Sequence, residues 1–343
     1  ALPLTPSGAS WKTEPEVFLT SSGDQGFAPT DVEVAPDGSL LVCVGGRGTR
    51  GGVYRIRVKE DEKANKTVET PEDTLTKCLT APQPLSAWSR HAWRPLAREI
   101  GTDGFRKAAL ESTRATSQRV RAIEILTDYF GGLAAEDVKT LQADKDPLIR
   151  ARAIWSHGRL NAATPNLELI NASLLDSEPR VVMEALQAIT GLSGTTPCGP
   201  IVPGLAKALG STDPAVRNLA SVAVTRIDPA SLQPLSDATS KLGARAVTTY
   251  AAGWLLRAAD DEARIKGSIP PLALALVAGK YPLDIRLDGV RLLQWVLGDM
   301  GPTEGVPPAF DGYTGGVDLA AFDRELDLPR IRLAEIYPTG EAT

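Results

Sequence analysis

Residues 45–52 read Gly-Gly-Arg-Gly-Thr-Arg-Gly-Gly, the most chemically suggestive run in the chain. A glycine loop leaves backbone N–H groups open to a ligand. Arg47 and Arg50 could then hold a carboxylate or phosphate by paired charge-assisted hydrogen bonds. The preferred reading is plainer, an inter-strand loop with two solvated arginines. A second basic series, Arg121, Arg150, Arg217 and Arg286, recurs at spaced positions further along. On successive helical repeats such a column could line a groove for an acidic protein partner or a phosphate. Its preferred reading is a structural ladder, each arginine bonding an acidic cap or helix end in the next repeat.

The other chemistry-bearing residues are few. Cys43, Cys78 and Cys198 are far apart, and His91 and His157 are the two histidines, so no zinc or covalent-haem spacing occurs. A Cys43–Cys78 disulfide is left open, because pairing cannot be read from spacing. Trp88 and Trp93 flank Arg90 and His91; they could stack a ligand, but large aromatic side chains more often seal a packed joint. Trp155, Trp254 and Trp295 read as core residues. His157 precedes Gly158 near a helix end, where its charged form would suit the dipole. Asp260, Asp261 and Glu262 read as a solvated cluster.

Elements must position these groups, and the chain has material for them. Its 343 residues are 43% hydrophobic and 23% charged, ordinary for a globular protein of two or three domains. A net charge of −5 and a pI near 5.3 argue against a broad nucleic-acid footprint. The best apolar run, residues 269–278, is half the roughly 20 residues a membrane span needs and contains two prolines.

In residues 1–62 four apolar runs, 16–20, 31–35, 40–44 and 53–58, are separated by turn signals. Val32 and Val34 alternate with Asp31 and Glu33, the period of a half-buried strand, and Pro36-Asp37-Gly38 supplies a tight turn. The expectation is one four-stranded antiparallel sheet, marginal unless its faces are covered. Residues 63–85 read as a surface linker rich in charge, threonine and proline.

The phrase Pro29-Thr30-Asp31-Val32-Glu33-Val34-Ala35-Pro36-Asp37-Gly38-Ser39-Leu40, followed by the loop of Arg47 and Arg50 and by Val53-Tyr54-Arg55-Ile56, resembles the last blade of a quinoprotein-dehydrogenase-like propeller. With the helical region that follows, it is similar to the bacterial membrane-bound dehydrogenase domain family. That family runs from propeller through HEAT repeats to a c-type haem domain. The resemblance implies a sugar or alcohol dehydrogenase as parent, with catalytic residues on blades outside this chain. It also implies pyrroloquinoline quinone and haem c in the parent, none in this segment, and a periplasmic or cell-envelope location. Arg47 and Arg50 would then be the residues meeting the quinone cofactor's carboxylates.

From residue 86 to about 300 a 3.6-residue period takes over. The recurring phrase is acid or serine, often proline, one residue, then Val or Ile followed by Arg. It appears in Asp146-Pro147-Leu148-Ile149-Arg150, Glu178-Pro179-Arg180-Val181 and Asp213-Pro214-Ala215-Val216-Arg217. Weaker copies place Val120, Val247 and Ile285 at the apolar position. Repeats of this irregular spacing, two helices each, resemble HEAT repeats. The acid caps the second helix, proline occupies its first turn, and Val or Ile faces the core. The expected fold class is therefore mainly α, a HEAT-like solenoid entered through a blade-like sheet. Residues 301–343 read as a Gly/Pro-rich loop and the start of a further helical unit, and the chain reads as a segment of something longer.

Two functional expectations follow. The first is a non-catalytic interaction and spacer module, meeting a protein partner or neighbouring domains of its own chain, without nucleic acid or a membrane span. The second is a part of the oxidoreductase that the resemblance implies. A nucleic-acid-binding HEAT protein is the weakest reading, given the acidic balance.

Overall fold

The computed structural model describes residues 1–20, 28–35, 39–45, 51–57, 73–81, 85, 87, 90–160, 165–257, 280–282, 285, 286, 288, 289 and 292. The chain divides into two compact units, residues 1–6 with 11–125, and residues 7–10 with 126–343. It is mainly helical, with small antiparallel sheets near the N-terminus.

Five strands form two sheets, where a single four-stranded sheet was expected. The first pairs β1 (Leu4–Ser7) with β2 (Ser10–Thr13). Gly8 takes φ +58° in the two-residue connection, the left-handed conformation that tight hairpins require and that a side chain resists. Residues 16–20 form no strand; Glu16 instead exchanges backbone hydrogen bonds with Ala1, its N–H donating to the Ala1 carbonyl at 2.8 Å. Val17 and Phe18 are left exposed.

The second sheet has the order β3 (Pro29–Val34), β4 (Leu40–Val44), β5 (Gly52–Ile56), with Val34 opposite Leu40 and Val44 opposite Gly52. The Ala35 N–H donates to the Ser39 carbonyl at 2.7 Å, bracketing the expected turn. Burial falls on Val42 and Val44 of the central strand. Val32 and Val34 are exposed instead of half-buried, as are Val53 and Tyr54. Alternation sets which side chains share a face; what covers that face is a separate matter.

The stretch read as a linker carries a helix, α1 (Thr74–Leu79). Asp73 nucleates it, accepting the Thr76 N–H at 2.8 Å and the Thr76 hydroxyl at 2.9 Å. Next comes α2 (Arg90–Leu110), broken at Gly101, where φ is +68°. Phe105, Ala108 and Ala109 of α2 are buried, and Trp93 is buried with its carbonyl accepting from the Cys78 thiol at 3.5 Å. Cys43, Cys78 and Cys198 are all free thiols, so the Cys43–Cys78 pair left open by the sequence does not form. Burial pushes the Cys78 thiol up to about 11, which keeps it protonated and unreactive.

After α3 (Thr116–Tyr129) the second unit proceeds by helix pairs: α4 (Ala135–Gln142) with α5 (Pro147–Leu160), α6 (Leu167–Leu174) with α7 (Pro179–Thr190), α8 (Val202–Leu209) with α9 (Pro214–Val224), and α10 (Pro229–Leu242) with α11 (Ala244–Arg257). Within each pair the two helices pack together. The second helices also pack in succession, α5 on α7, α7 on α9 and α9 on α11, while α4, α6, α8 and α10 form their own row.

Proline in the first turn places the starts of α5, α7 and α9 where the sequence phrase puts them. Ile149, Val181 and Val216 are then 0%, 1% and 2% exposed, each contributing about 1.5–3 kcal/mol by burial. Of the weaker copies, the one at Ile285 buries its apolar residue and the other two fit less well. Val120 and Val247 are half-buried, and in α11 the fully buried position is Ala246, one residue earlier. Capping also departs from expectation once. Asp213 caps α9, accepting from Ala215 and Val216, whereas Glu178 makes no side-chain cap for α7. Asp176, two residues upstream, accepts the Glu178 N–H at 2.8 Å instead. No helix among the described residues is long and apolar enough to cross a membrane.

Candidate functional site

Three of the four column arginines have their partners in view. Arg150 donates from Nε and Nη2 to the two oxygens of Asp176 at 2.8 and 2.9 Å, and from Nη1 to the carbonyls of Asp144 and Lys145 at 3.0 and 3.3 Å. One side chain thus ties the loop before α5 to the loop before α7. Arg217 is buried and donates from Nη1 to the carbonyls of Ser211 and Thr212 at 2.9 and 3.1 Å. Arg121 reaches the Ala81 carbonyl at 3.1 Å and lies 3.9 Å from Glu124. Arg286 is in helical conformation next to buried Ile285. Arg47 and Arg50, with Trp88, Trp295 and the acids at 260–262, lie outside the described residues.

His157 departs from the charged, dipole-facing role expected of it. The ring is buried, and Nε2 accepts the Asn166 N–H at 3.1 Å, a bond open only to an unprotonated nitrogen. Burial pushes its pKa below the ordinary histidine value. The folded state therefore refuses a proton that the unfolded chain accepts below about pH 6.5, so stability present above that pH is lost as pH falls. Urea denaturation of wild type from neutral to mildly acidic pH should show this decline. His157→Gln, neutral throughout and still able to accept from Asn166, should flatten it; an unchanged slope would refute the assignment.

The described residues bring together a different constellation from those expected, on the facing sides of α5 and α7. Trp155, read from sequence as core, is only half-buried. Two cations attend its ring: the guanidinium carbon of Arg152 lies 4.7 Å from the centroid and that of Arg159 lies 5.4 Å away. Arg159 also approaches Asp128 at 3.9 Å. Across the cleft stands Glu184 of α7, whose Oε2 is buried without a hydrogen-bond partner. Burial raises its pKa, and the positive charge of Arg152 opposes the rise only in part. Trp155, Gly158, Arg159, Glu184, Gln187 and Ala188 line a half-open cleft of about 160 Å³.

No family model matches the chain, and no curated protein is found similar to it.

The sequence carried a signal for half of this site. Arg152, Trp155 and Arg159 are spaced to share one stripe of a helix, and Glu184 interrupts the apolar run Val181-Val182-Met183 before Ala185-Leu186. An acid in that position needs an explanation, since ionisable side chains are rarely buried without a partner. Among the described residues there is no group of three or more potential metal ligands.

Proposed function

We propose that this chain is a non-catalytic interaction and spacer module of HEAT type, a segment of a larger propeller–HEAT–cytochrome protein, and that it meets a protein partner on its row of second helices. The observation carrying this reading is the arginine–tryptophan cluster of Arg152, Trp155 and Arg159 on that row. Tryptophan and arginine dominate the residues on which protein interfaces depend, because each offers a large contact area together with hydrogen-bond donors. The column of Arg121, Arg150, Arg217 and Arg286 then serves chiefly to hold inter-helix loops, as the carbonyl bonds of Arg150 and Arg217 support.

The test is partner capture on the immobilised chain, comparing wild type with Trp155→Ala/Arg159→Ala. A defined protein retained by wild type and lost by the variant, with unchanged circular dichroism and Tm, supports the module. Turnover of a substrate by the chain itself, with no partner retained, overturns it.

A second reading is favoured by the small sheet of β3, β4 and β5, which exposes Val32, Val34 and Tyr54 on one face. A neighbouring blade would cover this surface, in keeping with a quinoprotein-like sugar or alcohol dehydrogenase as parent. Its quinone and haem would be bound by other parts of that protein, in the periplasm or cell envelope. An extended reading frame that bound no pyrroloquinoline quinone would remove this alternative.

A further inference from the structure

We infer that residues 7–10 are a releasable latch on the helical unit, with the Asp213 carboxylate as its catch. The turn closes onto one carboxylate oxygen and opens without disturbing the helix that the other oxygen caps. The latch stands or falls independently of the interaction-module reading.

Asp213 has two roles, divided between its oxygens. Oδ1 accepts the N–H groups of Ala215 and Val216 at 2.9 and 3.2 Å, which caps α9. Oδ2 accepts the Ala9 N–H at 2.8 Å. The Gly8 carbonyl, the other end of the same peptide group, accepts from Nε of Arg180 in the first turn of α7 over a long 3.4 Å. One peptide group is thus held at both ends, by a carboxylate and a guanidinium. Residues 7–10 belong to the helical unit by their contacts, while the residues before and after them belong to the other.

The contact is written into the sequence at Gly8. Its φ of +58° is one reason for a glycine there. Space is the second, because a Cβ on Gly8 would run into the Asp213 carboxylate. Only a bare backbone comes close enough for the Ala9 N–H to reach the catch.

Polar bonds hold the turn. Its residues are Ser7, Gly8, Ala9 and Ser10, none with a large apolar side chain, and Leu4 and Trp11 on the flanking strands are exposed. A hydrogen bond to a charged group favours the closed form by roughly tenfold to a hundredfold. That range permits local opening while the rest of the unit stays folded. When the turn lifts, Oδ1 keeps its two N–H donors and α9 stays capped. Oδ2 is then open to another peptide N–H.

The experiment is hydrogen exchange on the full chain, resolved to single amides, with a synthetic peptide of residues 4–13 as the unprotected reference. Ala9 lies in the two-residue connection between β1 and β2, outside their ladder, so protection of its N–H reports the catch and not the hairpin. In wild type, Ala9 should exchange roughly tenfold to a hundredfold more slowly than in the peptide. Asp213→Asn keeps an oxygen to cap α9 but turns an amide N–H toward the Ala9 N–H. Ala9 should then exchange at the peptide rate, while Ala215, Val216 and Tm stay near wild type. Gly8→Ala leaves Asp213 intact and expels the turn by its methyl group, with the same outcome. Asp213→Ala removes both roles, so Ala9 and the start of α9 should lose protection together.

Peptide-like exchange at Ala9 in wild type would overturn the latch, as would protection that survives both Asp213→Asn and Gly8→Ala. Loss of protection along α9 in those two variants would overturn its release, because the turn would then be an integral part of the α9 start.

Discussion

Replacing Asp176 with alanine should destabilise the helical unit by about 3 kcal/mol, because it strands a largely buried guanidinium. Arg150 and Asp176 are only 16% and 14% exposed, and they meet in a two-point contact at 2.8 and 2.9 Å. Removing the carboxylate also takes away the acceptor of the Glu178 N–H. Arg150→Ala should be comparably damaging, since the carbonyls of Asp144 and Lys145 lose their donor. Arg150→Lys should recover little, as an ammonium cannot reproduce the fork that spans both oxygens and both carbonyls.

The pH dependence has a definite sign. Burial alone would raise the Asp176 carboxyl, but the Arg150 hydrogen bonds and the Glu178 N–H hold it below its ordinary range. Its contribution is thus complete above the unfolded value, about pH 4, and is lost as pH falls through the lower folded value. Asp176→Asn should remove that acid-limb dependence while retaining an acceptor. Urea midpoints for the four variants are sufficient to check this. A loss below about 1 kcal/mol for Asp176→Ala would place the pair among weak surface contacts instead.

This ion pair shows what a single sequence reveals and what it hides. The phrase that placed Arg150 after a capped, proline-started helix is local chemistry, and α5, α7 and α9 begin at Pro147, Pro179 and Pro214 as that chemistry requires. Without proline the start is less constrained, and in α11 the buried position moves from Val247 to Ala246. The partner of Arg150 was legible only as a class, an acid of the next repeat. Nothing local marks Asp176, because Glu178, adjacent to the proline, has the position of a cap.

Trp155 departs from the core position its sequence predicts for a related reason. Its neighbours Ile154 and Ser156 are buried, and a tryptophan among them resembles core, but its own direction depends on how α5 is rotated against α7. No single-helix pattern contains that rotation. Glu184 escaped in the same way, since its meaning arises across two helices. In the strand region the alternation of Val32 and Val34 does form a strand, yet both valines are exposed, because exposure depends on neighbours that period-2 spacing does not specify.

Gly158 supplies the second large effect and tests the packing that creates the site. A Cβ at Gly158 would lie against the Ala188 Cβ and only 2.9 Å from the Ala188 Cα, so α5 and α7 approach as closely as a bare backbone allows. Gly158→Ala should therefore cost about 2 kcal/mol by overpacking, even though alanine gains up to about 1 kcal/mol in helix propensity. Gly158→Val should cost more, as two further methyl groups have no space on that side. The decisive comparison exchanges the pair. Ala188→Gly alone removes a methyl that is 6% exposed at the residue level and should lose about 1 kcal/mol. Gly158→Ala/Ala188→Gly moves the methyl from one helix to the other, so most of the overpacking should vanish. A coupling energy near 2 kcal/mol in the double-mutant cycle is the expected result. Additive losses would mean that Gly158 acts through its own helix instead of through α7. In that case the narrow floor between Trp155 and Glu184 would owe nothing to this contact.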